Sequence, residues 1–277
     1  MTYLQLCQRL ADAGIDSPEW DAEILLRHFF RVDPLTLRAA GERDFPDDPA
    51  FLQAVAKREA RYPLQYLIGE WDFYRQTYRV TPDCLIPRPD TEHLVEEAIR
   101  LLPRGAFFAD LCTGSGCIAV SVLAERPDTC AVAVDKFPAT LALAVENARR
   151  NGVVDRLIPL CADVLAPDFS PSDKPLDAIL SNPPYIPTHV IPTLEPELFA
   201  EPAAALDGGE DGLIFYRTLL RTQAKHLAPG GFFLFEIGYD QGEALRRYGE
   251  ESGFTQCRIL RDYGGNDRVV HLAAPTA

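Results

Sequence analysis

The spacing of apolar residues divides the chain into two regimes. In the first regime they recur at helical intervals. Three helix starts share one device, a capping residue followed by proline: Ser17-Pro18, Asp33-Pro34 and Asp48-Pro49. The side-chain oxygen caps free N–H groups, and proline suits the first helical position. After Ser17, the residues Trp20, Ile24, Leu25 and Phe29 fall on one helical face; after Asp48, Phe51, Leu52 and Val55 do the same until Pro63. Residues 1–75 are therefore expected to form a small N-terminal helical bundle. Trp71, Phe73, Tyr74, Tyr78 and Val80 make a strand-like aromatic stretch, so residues 76–90 are expected to be a hairpin and linker. Thr91 is expected to cap a helix that carries Leu94, Val95, Ala98 and Ile99.

Beyond Leu102 the apolar residues form short continuous runs: Ala106–Leu111, Cys130–Val134, Leu157–Cys161, Ala178–Leu180 and Phe232–Ile237. Such runs read as buried parallel strands. Helical patterns lie between them, for example from Ala139 to Arg150 with Gly152 as its stop. Two further strands are expected at Gln256–Leu260 and Arg268–Leu272. The alternation predicts an α/β domain over residues 91–277, a doubly wound, Rossmann-like sheet of seven strands.

A formal net charge of -14 makes non-specific binding to nucleic acid a poor expectation. The seven cysteines are scattered, with no C-x-x-C pair and no zinc spacing, so no metal site is expected and the thiols read as reduced. Met1–Leu10 lacks a basic region followed by an apolar core, and no run is long enough to span a membrane. A cytoplasmic location is the expectation.

The first buried strand ends in Asp110-Leu111-Cys112-Thr113-Gly114-Ser115-Gly116, and a helix follows. Glycines there let backbone approach a ligand, and the helix start adds free donors. The dinucleotide pattern G-x-G-x-x-G fits in neither register, since Ala119 or Cys117 falls on its third glycine. The methyltransferase form D-x-G-x-G-x-G fits Asp110, Gly114 and Gly116, with Cys112 in place of the first glycine. An acid there suits a methionyl ammonium and would repel a pyrophosphate. Asp135, at the end of the second strand, is placed to accept from both ribose hydroxyls. Asp163 and the Val164 backbone are candidates for the adenine. The implied cofactor is S-adenosyl-L-methionine, with S-adenosyl-L-homocysteine as product.

The fourth strand ends in Asn182-Pro183-Pro184-Tyr185. This resembles the signature of enzymes that methylate planar nitrogens, whose delocalised lone pair makes them poor nucleophiles. The Asn182 side-chain oxygen and the Pro183 carbonyl can hold the two N–H groups, while the prolines stiffen the turn. Tyr185 is expected to stack on the flat substrate group, and Asn182 also borders the cofactor. Placement for an in-line displacement then supplies most of the rate.

At this point the chain resembles the HemK/PrmC protein-(glutamine-N5) methyltransferases over almost its whole length. The resemblance rests on Ile86-Pro87-Arg88-Pro89-Asp90-Thr91-Glu92, the glycine loop, Asn182 to Ile186, Glu201-Pro202 with Gly208-Gly209 and Asp211-Gly212-Leu213, and Arg261-Asp262-Tyr263-Gly264 with Asn266 and Arg268. It implies a class I S-adenosylmethionine-dependent methyltransferase acting on the glutamine of the G-G-Q motif in class-1 peptide chain release factors. The helical N-terminal domain would help bind the release factor. Cys112 stands where the family usually has glycine, and Val164 where some members have tryptophan. Arg88 and Glu92 are candidates for the substrate side, with a structural ion pair or cap as the other reading. Two other readings stand beside it: an adenine-N6 methyltransferase acting on DNA or RNA, which the Asn-Pro-Pro-Tyr signature permits, and a binding module that keeps a dead cofactor pocket.

Overall fold

The computed structural model describes residues 1–33, 36 and 44–274. They form two compact units, Met1–Glu70 with Leu194–Ala200, and Trp71–Thr193 with Glu201 onward.

The first unit contains helices Tyr3–Asp12, Pro18–Phe30, Pro49–Glu59 and Leu64–Ile68. Asp48 caps its helix as the sequence suggests, accepting from the Phe51 N–H at 2.9 Å. Ser17 precedes Pro18 but makes no side-chain cap. The start expected after Asp33-Pro34 lies outside the described residues. Leu6, Leu10, Leu25, Leu26, Phe51 and Val55 are the buried centre.

One expectation fails here. Trp20 is 54% exposed, and its neighbour Asp21 turns inward instead. The reason is a partner far along the chain: Arg58 Nε donates to Asp21 Oδ2 at 2.6 Å. Burial raises the pKa of Asp21 against the pull of Arg58. Arg58 also reaches Glu197 Oε1 at 3.1 Å, and Arg61 Nε meets the same oxygen at 2.7 Å. Two arginines thus hold the stretch Leu194–Ala200 in this unit. A buried charge needs such partners, because each ion's desolvation costs several kcal/mol.

In the second unit, β1 (Glu70–Phe73) and β2 (Gln76–Arg79) form a two-stranded sheet. Phe73 and Tyr78 pack into this unit's own core, so the division falls at Glu70 and the hairpin goes with the larger unit. The main sheet is built from β3 (Phe107–Leu111), β4 (Cys130–Asp135), β5 (Leu157–Cys161), β6 (Leu176–Ser181), β7 (Leu227–Glu236), β8 (Gln256–Arg261) and β9 (Asp267–Ala273). Their order is β5-β4-β3-β6-β7-β9-β8. The strands from β5 to β7 run parallel, and β9 lies antiparallel to β7 and β8.

Successive residues of a strand face opposite sides of its sheet. Phe108 accordingly joins a core cluster with residues of helix Cys117–Glu125, while Ala109 and Leu111 join the one with residues of helix Ile214–Gln223. Both faces of β3, β4 and β6 are covered, which is why these strands read as continuous apolar runs; the edge strand β5 departs from the expected burial, with Ile158 53% exposed. The strand order reverses between β3 and β6, so the crevice beyond their carboxyl ends is where a ligand fits such a sheet. No described helix is long and apolar enough to cross a membrane. No group of three or more metal-ligating side chains occurs among the described residues.

Candidate functional site

The glycine loop follows β3 and is fixed from three sides. Thr113 N–H donates to Val134 O at 2.9 Å, and Gly114 N–H to Asp135 Oδ2 at 3.0 Å. Asn147 is fully buried and donates to Ser115 O at 2.8 Å. Gly114 and Gly116 have φ of 56° and 81°, and a Cβ on Gly116 would meet Ala144 at 3.1 Å. Glycine at 116 therefore lets the loop close against helix Pro138–Arg150.

Cys112 also has positive φ, 59°, at the position where the resemblance calls for glycine. Burial raises its thiol pKa, with the carboxylates of Asp135 and Asp110 adding to the effect. A left-handed residue with a side chain costs roughly 1–2 kcal/mol. Cys112→Gly removes that strain but gains about 0.5–1 kcal/mol of chain entropy in the unfolded state and loses the sulfur's packing. The expected outcome is stability within about 1 kcal/mol of the parent in urea unfolding, with methyl transfer at or above the parent rate. A loss of more than about 2 kcal/mol would show that the side chain is needed for packing.

Around this loop lies a cavity of about 400 Å³, within the usual range for small-molecule sites. Thr113, Gly114 and Ser115 line it, as does Cys112. Asp135, Asp163 and Val164 form a second wall, and Asn182 with Pro184 a third. Asp110, Gly116, Pro183 and Tyr185 do not line it. Asp110 is fully buried and seats the loop, accepting from Thr113 Oγ1 at 2.7 Å and from Ala119 N–H at 3.1 Å. Its Oδ1 is buried with no protein partner, and burial pushes its carboxyl up to about 7.

Asp135 Oδ1 accepts from Phe137 N–H at 3.0 Å and its Oδ2 from Gly114, which leaves lone pairs on both oxygens. Burial raises its pKa in spite of these donors. Asp163 is engaged differently. Its Oδ2 pairs with Lys136 Nζ at 2.8 Å and its Oδ1 accepts from Leu165 N–H at 2.9 Å. The lysine lowers its pKa. Lys136 and Phe137 also line the cavity, and sequence reasoning missed them although they directly follow Asp135.

Asn182 stands at the end of β6, where Ser181 Oγ donates to Leu111 O at 2.5 Å and locks that strand to β3. Its Nδ2 donates to Thr91 Oγ1 at 3.3 Å. That leaves Oδ1 as the amide's acceptor. Thr91 is thus not a helix cap: no side-chain cap bond forms, and its hydroxyl is turned to Asn182. Tyr185 differs from expectation as well. Its ring packs against the core beside the sheet, its phenol donates to Glu236 Oε1 at 3.4 Å, and it does not line the cavity. Arg88 lines the cavity and is paired with Glu201, whose other oxygen accepts from Ile86 N–H at 3.0 Å. Glu92 accepts from Tyr74 N–H at 2.7 Å and braces the β1–β2 turn.

The elbow's continuation is pinned by backbone. Ile186 N–H donates to Leu206 O at 3.0 Å and Gly208 N–H to Ile186 O at 2.8 Å. Gln241 Nε2 donates to Tyr185 O at 3.0 Å and to Gly212 O at 3.2 Å. Nothing in the local pattern around Gln241 marks it as a clamp.

Known proteins resemble the chain at both levels. The family described as PrmC N-terminal domain matches residues 3–69, and the one described as Methyltransferase small domain matches residues 91–234. A release factor glutamine methyltransferase of Cereibacter sphaeroides is 43% identical over 97% of this chain and 96% of its own length. One from Moorella thermoacetica is 42% identical over 94% and 93%. A solved methyltransferase from Pyrococcus furiosus aligns with a TM-score of 0.54 at 16% identity, covering 72% of this chain and 88% of its own, a likeness of fold.

Proposed function

Because the chain belongs to the release factor glutamine methyltransferase family, we propose that it methylates the side-chain amide nitrogen, N5, of the glutamine in the G-G-Q motif of class-1 peptide chain release factors. S-adenosyl-L-methionine is the methyl donor in this reading, and the cavity residues suit it. Asp135 keeps unshared lone pairs for a pair of hydroxyls. Asp110 lies outside the cavity lining, and its orphaned Oδ1 is the kind of buried acceptor that an ammonium group satisfies. The loop residues Cys112 to Ser115 line the cavity, and Val164 adds an apolar side chain to it. When bound, the cofactor supplies an electrophilic sulfonium methyl.

The observation that carries the reading is the Asn182 amide. With Nδ2 bound to Thr91, Oδ1 is the acceptor offered to the cavity. It would take one N–H of the substrate carboxamide, and the Pro183 carbonyl, although Pro183 is outside the cavity lining, is the acceptor proposed for the other. Holding both protons fixes the nitrogen and favours its pyramidal form. Placement against the methyl can contribute roughly 7–11 kcal/mol, so no strong base is required. The nitrogen turns acidic once methylated and gives its proton to water.

The adenine reading is not favoured: the relatives over nearly the full chain act on protein glutamine, and the charge of -14 opposes a phosphate backbone. The test is a transfer assay with methyl-labelled cofactor, a release factor and, separately, DNA and RNA. Label on the G-G-Q glutamine is expected. Label on nucleic acid and none on the release factor would replace this reading with the adenine one.

A further inference from the structure

Arg88 lines the cavity with most of its hydrogen-bonding capacity unused. Its Nη2 donates to Glu201 Oε1, and its remaining N–H groups have no acceptor among the described residues. The Glu201 side chain is 2% exposed, and its Oε2 accepts from Ile86 N–H at 3.0 Å. The Arg88 side chain is 34% exposed. A buried carboxylate, held on both oxygens, thus fixes a guanidinium that stays open to solvent. The pair also stands beside the proposed acceptor. Arg88 O accepts from Thr91 N–H at 3.0 Å, and Thr91 Oγ1 accepts from Asn182 Nδ2 at 3.3 Å. Guanidinium and amide are therefore carried on one connected frame.

The other side-chain donors of the cavity are committed or buried. Lys136 is paired with Asp163 Oδ2 at 2.8 Å, on the wall shared with Asp135. Thr113 donates to Asp110 Oδ2 and Thr140 to Asp83 O, each at 2.7 Å. Thr91 and Ser115 are only 1% and 2% exposed. Arg88 is the lining side chain that keeps a planar fork of donors for a ligand.

We infer that Arg88, seated by Glu201, binds a main-chain carbonyl oxygen in the glycine-glycine-glutamine segment of the protein substrate. The inference rests on the proposed reaction. The chemical class follows from charge. Glu201 already neutralises the guanidinium, so the pair has little net attraction for a further anion such as phosphate or carboxylate. Its free N–H groups still suit a neutral carbonyl oxygen. A peptide segment that enters a cavity loses water from its carbonyls, and each one left unpaired is costly. Two glycines in a row carry no side chains to obstruct the approach to theirs. The oxygen of the reacting carboxamide is the wrong target, because a cation there would draw the nitrogen's lone pair further into the amide and slow its attack. Arg88 therefore acts on substrate binding and not on the chemical step.

The test measures steady-state methyl transfer to a release factor by the wild type, Arg88→Met and Arg88→Lys, with S-adenosyl-L-homocysteine affinity followed by calorimetry. Arg88→Met keeps the apolar stem and should raise KM for the release factor about 10- to 100-fold, the scale of one hydrogen bond to a charged group. Its kcat and cofactor affinity should stay within about threefold of the wild type, the signature of lost uniform binding. Arg88→Lys keeps a cation for Glu201 but loses the planar fork, so its KM should remain at least about tenfold high. A wild-type KM in Arg88→Lys, whether or not Arg88→Met folds, would show that only the ion pair with Glu201 matters and would overturn the inference. So would a raised kcat with unchanged KM in Arg88→Met, which would put the guanidinium on the reacting carboxamide. Absence of label on the release factor with the wild type itself would instead overturn the proposed reaction, and this inference with it.

Discussion

Asn182→Ala is expected to reduce methyl transfer by about 10²–10³-fold, the usual loss when one preorganised hydrogen-bonding group is removed from a reacting centre. Affinity for S-adenosyl-L-homocysteine should stay within a few-fold of the parent. The two readouts separate because the rest of the cavity is built elsewhere. The glycine loop hangs on Val134, Asp135 and Asn147, and none of those bonds involves Asn182. Alanine removes the only side-chain acceptor at the end of β6 that lines the cavity beside Pro184. It also frees the Thr91 hydroxyl of its donor, so a small stability loss of about 1 kcal/mol should accompany the kinetic one. Single-turnover transfer with saturating cofactor measures the chemical step. A rate within about threefold of the parent would place substrate activation on other residues.

Gly212→Ala is the second large effect, and it is mechanical. Gly212 has φ of 73°, and an added Cβ would collide with the Tyr185 carbonyl oxygen and come within 2.9 Å of Gln241 Nε2. Those two groups form the bond that holds the Tyr185 carbonyl at the end of the elbow. The left-handed backbone costs roughly 1–2 kcal/mol and the overlap about 1–3 more. Alanine should therefore destabilise the protein by about 2–5 kcal/mol and, in the fraction that folds, shift the elbow and cut turnover by at least about tenfold. Gly152→Ala is the control. Its φ is 71° but nothing lies within 4 Å of its Cβ, so it should lose only about 1–2 kcal/mol and keep its rate. Equal turnover losses in the two variants would mean that the elbow's exact seat does not matter.

Much of this was legible in the sequence because the central strands β3, β4 and β6 are buried on both faces, while the edge strand β5 matches its run in position only. A continuous apolar run has one reading there, and β3, β4, β5 and β6 fall where the runs do. The site loops were legible for a related reason, since glycines and prolines at strand ends have few structural alternatives. What escaped depends on partners distant along the chain. Trp20 looked like core by residue type, but Asp21 is inside because Arg58 waits 37 positions away. Thr91 has the composition of a cap, yet its partner is Asn182, 91 positions on. Tyr185 looked like a stacking platform until Glu236, 51 positions away, drew its phenol inward. Asp110 reads as a ligand contact in the sequence, and the structure adds a role that no local pattern marks, seating the loop through Thr113 and Ala119. A lone glutamate closing an apolar strand carries no local mark, so Glu236 was invisible without the fold.

The stretch Leu194–Ala200 bears on how this polypeptide can be taken apart. Nine residues after Tyr185 the chain enters the helical unit and comes back at Glu201, so severing one peptide bond near residue 70 does not divide the molecule into its two packed bodies. A fragment starting at Trp71 would carry Glu197 with both of its arginines amputated. A clean dissection would have to excise that stretch and rejoin Thr193 to Glu201, a splice made at the very residue whose carboxylate grips Arg88.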